Sequence, residues 1–369
     1  MKACMVSKRF PPYAGGLEAR VAELARWLVG RGDSVLVLTS MEEEAAPYEV
    51  LDGVVVRRSN VFFSVFNALF AFGILWDLFR EDYDFIDVNL PDPVNSVFAF
   101  LASVVRGKPM YVTYHADIVR DGFFYLPFKL LYRPLEWLVM WRARRIFVTS
   151  KEYAESSPEV SGFLWKAVVA PNFVDTERYN PSVDGSSVKS ELGLGGRKMV
   201  LFVGRLVEYK GVEYLIEAAA TLRDDVFVVV GEGPLSGSLR SKAERMGLGN
   251  VVFAGRVSGG RLPEYYAACD VFVLPSVTRQ EAFGIVLIEA MASGKPVVST
   301  NISAMPFVVG DGGVVVPPRD PKALADAVNM ILSDSCLASR LAENGFRRVR
   351  ELFNRDVVCS RIREVYSSA

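Results

Sequence analysis

Arg205 and Lys210 stand five residues apart, just after the apolar run Met199–Val203 and Gly204. Across a turn both can face one anion, the arginine through its planar fork and the lysine as a point charge. A diphosphate suits that pair, with Gly204 allowing close approach to the backbone. A solvated loop with two ordinary surface cations fits the same residues. Further on, after Val271–Pro275, runs Glu281-Ala282-Phe283-Gly284-Ile285-Val286-Leu287-Ile288-Glu289. Glu281 is expected in a loop, and Glu289 one to two turns into the helix that follows. Free N–H groups and the positive dipole end near Gly284, Ile285 and Val286 would make an anion site. Carboxylates on either side of it are odd for phosphate alone. They make sense as acceptors for hydroxyls, which sugars and ribose supply. One capping and one surface glutamate is the plainer alternative.

Three further features belong to the same inventory. Gly231-Glu232-Gly233-Pro234 follows Phe227–Val230. It is no dinucleotide fingerprint, because Ser236 stands at the third glycine and no acid is near Arg256, where the next strand ends. A turn touching a nucleotide base is the favoured reading, and plain helix entry the alternative. Gly15-Gly16, between the first strand and a helix, would admit a phosphate at the helix start. The single histidine, His115, lies at the end of Met110–Tyr114 with Asp117 beside it. A lone histidine is commonly structural, but the carboxyl end of a strand makes it a site candidate.

Short apolar runs alternate with helical patterns and must position these residues. Met1–Ser7, Ser34–Thr39, Phe85–Asn89, Met110–Tyr114, Arg145–Thr149 and Ala167–Val169 read as buried strands. Amphipathic stretches such as Leu17–Arg31 and Asn95–Val105 separate them, which implies βαβ units and parallel sheets. The pattern pauses at Asn172–Gly196 and restarts with Met199–Val203, Val226–Val230, Val251–Phe253, Val271–Pro275, Pro296–Thr300 and Val314–Val316. Two doubly wound α/β domains are expected, 1–172 and 173–354, with ligands at the carboxyl ends of strands. The tail is helical over Pro321–Leu332 and Cys336–Tyr366, broken near Phe353-Asn354-Arg355. A final helix over 355–369 is expected to pack back on the first domain.

A formal net charge of −1 gives no global basic field for nucleic acid. Four scattered cysteines without a CxxC pair read as free thiols in a reducing compartment. The N-terminal stretch lacks a signal-peptide pattern, and no run reaches the roughly 20 apolar residues of a membrane span. A cytoplasmic protein is expected, with peripheral membrane contact through 123–145 and 61–76. The first is rich in apolar residues and holds Lys129, Arg133, Arg142, Arg144 and Arg145 against Glu136 alone. The competing reading makes both segments core helices with snorkelling basic rims.

Glu281 through Val298 reads EAFGIVLIEAMASGKPVV. With Gly204-Arg205, Lys210-Gly211, Gly231-Glu232-Gly233 and Pro11-Pro12-Tyr13-Ala14-Gly15-Gly16, it resembles the retaining glycosyltransferases of family 4. The resemblance covers nearly the whole chain. It implies the GT-B fold, two Rossmann-like doubly wound parallel-sheet domains facing a central cleft. It implies that Arg205 and Lys210 bind the donor's diphosphate, that Glu281 contacts the transferred sugar and that Glu289 holds the ribose. The backbone of Phe283, Gly284, Ile285, Val286 and Leu287 would line sugar and phosphate. Gly15 and Gly16 would lie near the donor phosphates, and His115 would hydrogen-bond the donor sugar. Gly204, Gly231, Gly233 and Arg256 complete the expected donor-binding set.

The expected reaction moves a hexose from a nucleoside diphosphate sugar to a hydroxyl with retention. GDP-mannose is favoured over a UDP-sugar, and the acceptor is a lipid-linked or glycan hydroxyl. No Asp-x-Asp pair ends a strand, and cations with a helix N-terminus can stabilise the leaving diphosphate. Neither a metal nor another cofactor is therefore expected. A sugar-nucleotide epimerase, a catalytically silent nucleotide-sugar-binding subunit and a sucrose- or trehalose-type synthase are the alternatives.

Overall fold

The computed structural model describes every residue except Ala14, Glu43, Glu44, Asn67, 118–124 and Ala369, and over 125–131 it describes the backbone only. The chain divides into two compact units, Met1–Pro171 with Val358–Ala369, and Asn172–Val357.

Among the described residues, the first unit has ten strands. They are β1 (Lys2–Val6), β2 (Ser34–Ser40), β3 (Tyr48–Leu51), β4 (Val54–Ser59), β5 (Phe63–Val65), β6 (Ala68–Phe70), β7 (Phe85–Leu90), β8 (Met110–Tyr114), β9 (Arg145–Val148) and β10 (Ala167–Val169). Its main helices are α1 (Gly16–Gly30), α2 (Gly73–Arg80), α3 (Asn95–Val105) and α4 (Tyr125–Arg142). Eight strands form one sheet in the order β10-β9-β8-β7-β1-β2-β4-β3. The central strands β7 and β8 are buried throughout, as covered parallel strands must be. In α1 the buried Val21, Leu24, Ala25 and Leu28 recur at helical spacing and seat it on the sheet.

Two details depart from the sequence expectation. The sheet is mixed, because β3 runs antiparallel to β4. Asp52 and Gly53 join them with φ of 50° and 82°. Two successive positive φ values are what a tight hairpin turn needs, and Asp-Gly supplies them cheaply. The segment 61–76 departs from its competing reading as a core helix. It is the hairpin β5–β6 followed by the start of α2. Its aromatic and β-branched residues favour a short extended pair over a helix.

The second unit carries β11 (Met199–Val203), β12 (Val226–Val230), β13 (Val251–Gly255), β14 (Val271–Leu274), β15 (Val297–Thr300) and β16 (Gly313–Val316). All six pair in parallel, in the order β13-β12-β11-β14-β15-β16. The order reverses between β11 and β14. Connections leave in opposite directions there, and a crevice opens at the strands' carboxyl ends. The helices Pro321–Ser333 and Ser335–Arg348 follow, each capped at its N-terminus by an aspartate, Asp320 and Asp334. A π-turn over Val349–Phe353 ends this run. Asn354 then caps the helix Arg355–Ser367, its Oδ1 accepting from Asp356 N at 2.9 Å.

Candidate active site

The loops after β11 and β14 meet at the switch point of the second sheet. After β11 the chain passes Gly204 and Arg205 and makes a 3-10 turn at Glu208–Lys210. Gly211 then caps the helix Val212–Ala219 with φ of 65°. A Cβ on Gly211 would stand 2.1 Å from Pro275 O, so only glycine lets this loop lie against the end of β14. Val277 N donates to Tyr209 O at 2.8 Å and ties the two loops together.

Within this junction Lys210 Nζ donates to Glu281 Oε2, and both residues are buried. Ser276 Oγ donates to the same oxygen at 3.2 Å. The ring of Tyr209 lies 5.6 Å from the ammonium, within cation–π range. Burial pulls the lysine's pKa down, but Glu281 and Tyr209 outweigh it and hold the pKa above the usual lysine value. Lys210 is therefore a fixed positive charge in a dry place. Arg205 is exposed on the same loop. Burial drives the Tyr209 phenol upward, and the charges of Lys210 and Arg205 oppose this.

The helix Ile285–Ala292 starts at Gly284, whose φ is 76°, and no side chain caps it. Its first N–H groups are those a helix leaves unsatisfied. Glu289 lies in its second turn. Tyr266 OH donates to Glu289 Oε2 at 2.6 Å, and Tyr179 also hydrogen-bonds the carboxylate. Burial raises the Glu289 pKa, against these hydrogen bonds and the nearby charges of Arg178 and Lys210. Lys210, Glu281 and Glu289 thus form one electrostatic group.

The paired glycines of the β12 loop let it pack against the loop after β11. A Cβ on Gly231, whose φ is 131°, would come 1.9 Å from Gly204 O. The loops after β11 and β12 lie backbone on backbone, with Leu206 N donating to Glu232 O at 2.9 Å. The need for glycine at 231 comes from the chain's own packing. Ser236 Oγ accepts from Gly233 N at 3.0 Å and starts the next helix. Arg256 is exposed at the end of the edge strand β13, two strands from β11.

In the first unit, Gly15 caps α1 without a side-chain cap. Ala14, in the same loop, lies outside the described residues. His115 is buried just past β8, its Nε2 2.9 Å from Asn89 Oδ1. Asn89 Nδ2 donates to Val6 O at 3.3 Å, so Oδ1 faces the ring as acceptor and Nε2 carries the proton. Burial, and then the charge of Arg20, push the imidazole pKa well below its usual value. The ring is neutral, with one nitrogen left to accept.

A family model described as "Glycosyl transferases group 1" matches residues 187–348, and one described as "Glycosyltransferase Family 4" matches 14–178. The O-antigen chain mannosyltransferase C of Escherichia coli is 31% identical over 94% of this chain and 92% of its own. The D-rhamnosyltransferase WbpZ of Pseudomonas aeruginosa is 30% identical over 92% of this chain and 88% of its own. Among solved structures, the Anabaena protein HepE in complex with UDP and glucose has the same fold. It aligns with a TM-score of 0.82 at 22% identity, over 100% of each chain. The chain belongs to glycosyltransferase family 4. It is a glycosyltransferase of the GT-B fold.

Sequence reasoning missed the residues that hold this glycosyltransferase's acids. Tyr266 precedes Glu289 by 23 positions, on the helix Leu262–Ala268. Tyr179 comes from the stretch between the two strand series, which reads as a linker. Tyr179 follows the exposed, charged Glu177 and Arg178, whereas Tyr266 stands between Tyr265 and Ala267 and carries no such signal. Ser276, at the end of β14, was visible as the first polar residue after a buried apolar run.

Proposed function

We propose that this glycosyltransferase transfers a hexose from a nucleoside diphosphate sugar, with retention, to a hydroxyl of a lipid-linked or glycan acceptor. The observation that carries the donor assignment is the buried Lys210–Glu281 pair at the β11/β14 switch point. A fixed ammonium beside an uncapped helix N-terminus suits a diphosphate. As the sugar bond breaks, negative charge grows on the leaving oxygen. On this reading Lys210, Arg205 and the helix N–H groups would stabilise that charge with little reorganisation. On this reading the reaction needs no metal. Glu281 and Glu289 remain acceptors, for hydroxyls of the sugar and the ribose respectively. The family resemblance gives His115 a sugar hydroxyl as partner, and a neutral ring with an accepting nitrogen suits one.

The mannosyl and rhamnosyl names of the two relatives favour a GDP-linked donor, with GDP-mannose first. They also favour a growing surface glycan or its lipid carrier as acceptor. Thermal-shift titration with GDP-mannose, UDP-glucose and the free nucleotides tests the donor, because a ligand of the folded state raises Tm. GDP-mannose should give the largest shift, and the shift should persist with EDTA. Proton NMR of the product then reads the anomeric configuration. A shift that needs a divalent cation, or an inverted product, overturns the corresponding part.

A further inference from the structure

We infer that one end of the first unit, where α3, α4 and the turn Ser161–Lys166 finish together, is a docking face for an anionic lipid surface. Two cationic side chains build this end. Arg142, the last residue of α4, donates through Nη2 to Ser103 O at 3.2 Å and Lys108 O at 3.1 Å, tying α4 to the end of α3. Lys166 donates to Ala143 O at 2.7 Å, to Met140 O at 3.4 Å and to Trp141 O. It fills the carbonyl end of α4 and ties the 161–166 turn to it.

These ties gather large apolar side chains that nothing covers. Val104 and Val105 of α3 are 52% and 70% exposed, Trp141 of α4 is 56% and Trp165 of the turn is 70%. Soluble surfaces rarely leave so much aromatic and aliphatic area together unless it meets something. Arg144 and Arg145 are exposed at the same end, where β9 begins. Among the described residues, no carboxylate forms an ion pair with Arg142, Arg144 or Arg145. Lys166 registers the resulting field. Burial lowers its pKa first, repulsion from Arg142 and Arg145 lowers it further, and no acid acts in the other direction.

Exposed tryptophans beside uncompensated arginines match a bilayer interface. Indole rings sit at headgroup level, arginines reach anionic phosphates, and each basic residue near the surface adds to attraction. A second copy of this chain fits poorly, because a twofold contact would set the same cations against each other. Of the two segments the sequence singled out, the end of 123–145 takes part, while Val104, Val105 and Trp165 come from elsewhere. Phe123 and Phe124 lie outside the described residues, as does the side chain of Lys129, and none is needed. The inference does not depend on which donor or acceptor the enzyme uses.

The test is co-sedimentation of the full chain with phosphatidylcholine vesicles, with and without about one third phosphatidylglycerol. Binding to the anionic vesicles should exceed binding to neutral ones by about tenfold, and should fall as salt rises to about 0.5 M. The double variants Trp141→Ser/Trp165→Ser and Arg144→Gln/Arg145→Gln should each weaken it by about tenfold. Their unchanged thermal shift with donor shows that they are folded. Three outcomes overturn the inference: no binding, equal and salt-independent binding to both vesicles, or binding that both variants retain. A concentration-dependent dimer abolished by the tryptophan variant would assign the face to a second copy instead.

Discussion

The two units use one strand order around their switch points and fill those points with opposite chemistry. In the second unit, the loops after β11 and β14 carry a buried ion pair, Lys210–Glu281, in which the lysine is held charged. In the first, the corresponding strands β1 and β7 lie side by side, with β8 next. There a neutral His115 leans on the amide of Asn89. Burial pushes Asp87 of β7 up to about 6, against the hydroxyls of Tyr366 and Thr113 and the charge of Arg20. Topology therefore fixes where a ligand can bind, and the side chains decide whether that place favours a polyanion or uncharged hydroxyls.

The comparison is broken most directly at Lys210. Lys210→Ala removes the fixed charge and leaves the Glu281 carboxylate buried without its cation. Turnover should fall by about a thousandfold, and Tm should drop as well, because one partner of a buried pair is stranded. Rates within a few-fold of the parent enzyme, measured by nucleotide release, would remove the second unit's claim to the diphosphate. The next largest effect is on stability. Gly231→Ala puts a Cβ 1.9 Å from Gly204 O at a φ of 131° and should cost roughly 3 kcal/mol. Urea unfolding should show the loss, and an unchanged midpoint would mean that the loops can part freely.

Acid separates the units further. A buried base whose folded pKa lies below 6.5 takes up protons mainly when unfolded, so its contribution is complete above that pH and is lost as pH falls. Asp87 and Asp92, both pushed up by burial to about 6, pull the other way, since the folded state protonates them first. His115→Gln removes only the histidine's share. Between about pH 6.5 and 5 it should gain on the parent by up to about 1.4 kcal/mol per pH unit, seen by hydrogen exchange in β7 and β8. Parallel curves for the two proteins would mean that the imidazole is not held neutral. The smallest effect is at Tyr266. Tyr266→Phe removes one donor from Glu289, so donor KM should rise about fivefold while kcat stays within about twofold. The rise should begin at a higher pH than in the parent, because the carboxylate loses a hydrogen bond to its charged form.

The sequence was most legible where strands are buried on both faces. Val226–Val230 and Met199–Val203 are uninterrupted apolar runs, which is how covered parallel strands read. The edge of the first sheet was less legible. Tyr48–Leu51 is half exposed, so its apolar signal is diluted. Its one firm marker, Asp52-Gly53, is a turn signal rather than a strand signal. The same holds at the site. Arg205, Lys210, Glu281 and Glu289 sit in contiguous motifs, whereas Tyr179 and Tyr266 reach Glu289 only through folding. Nor could the glycine at 231 be assigned from sequence, since a nearby ligand and a nearby carbonyl ask for the same missing side chain.

The division of the chain has a bearing on how the protein is made. Residues 358–369 belong to the first unit, yet 172–357 come between. Tyr366, buried there, packs its ring against Phe85, Tyr111 and Phe147. On the ribosome the second unit is complete before that tyrosine has been synthesised. The first unit must wait, open along the face that Tyr366 will fill, until nearly the whole chain has emerged. Residues from both ends of the sequence are thus needed to complete one core, and fragments cut after Pro171 lack a piece of it.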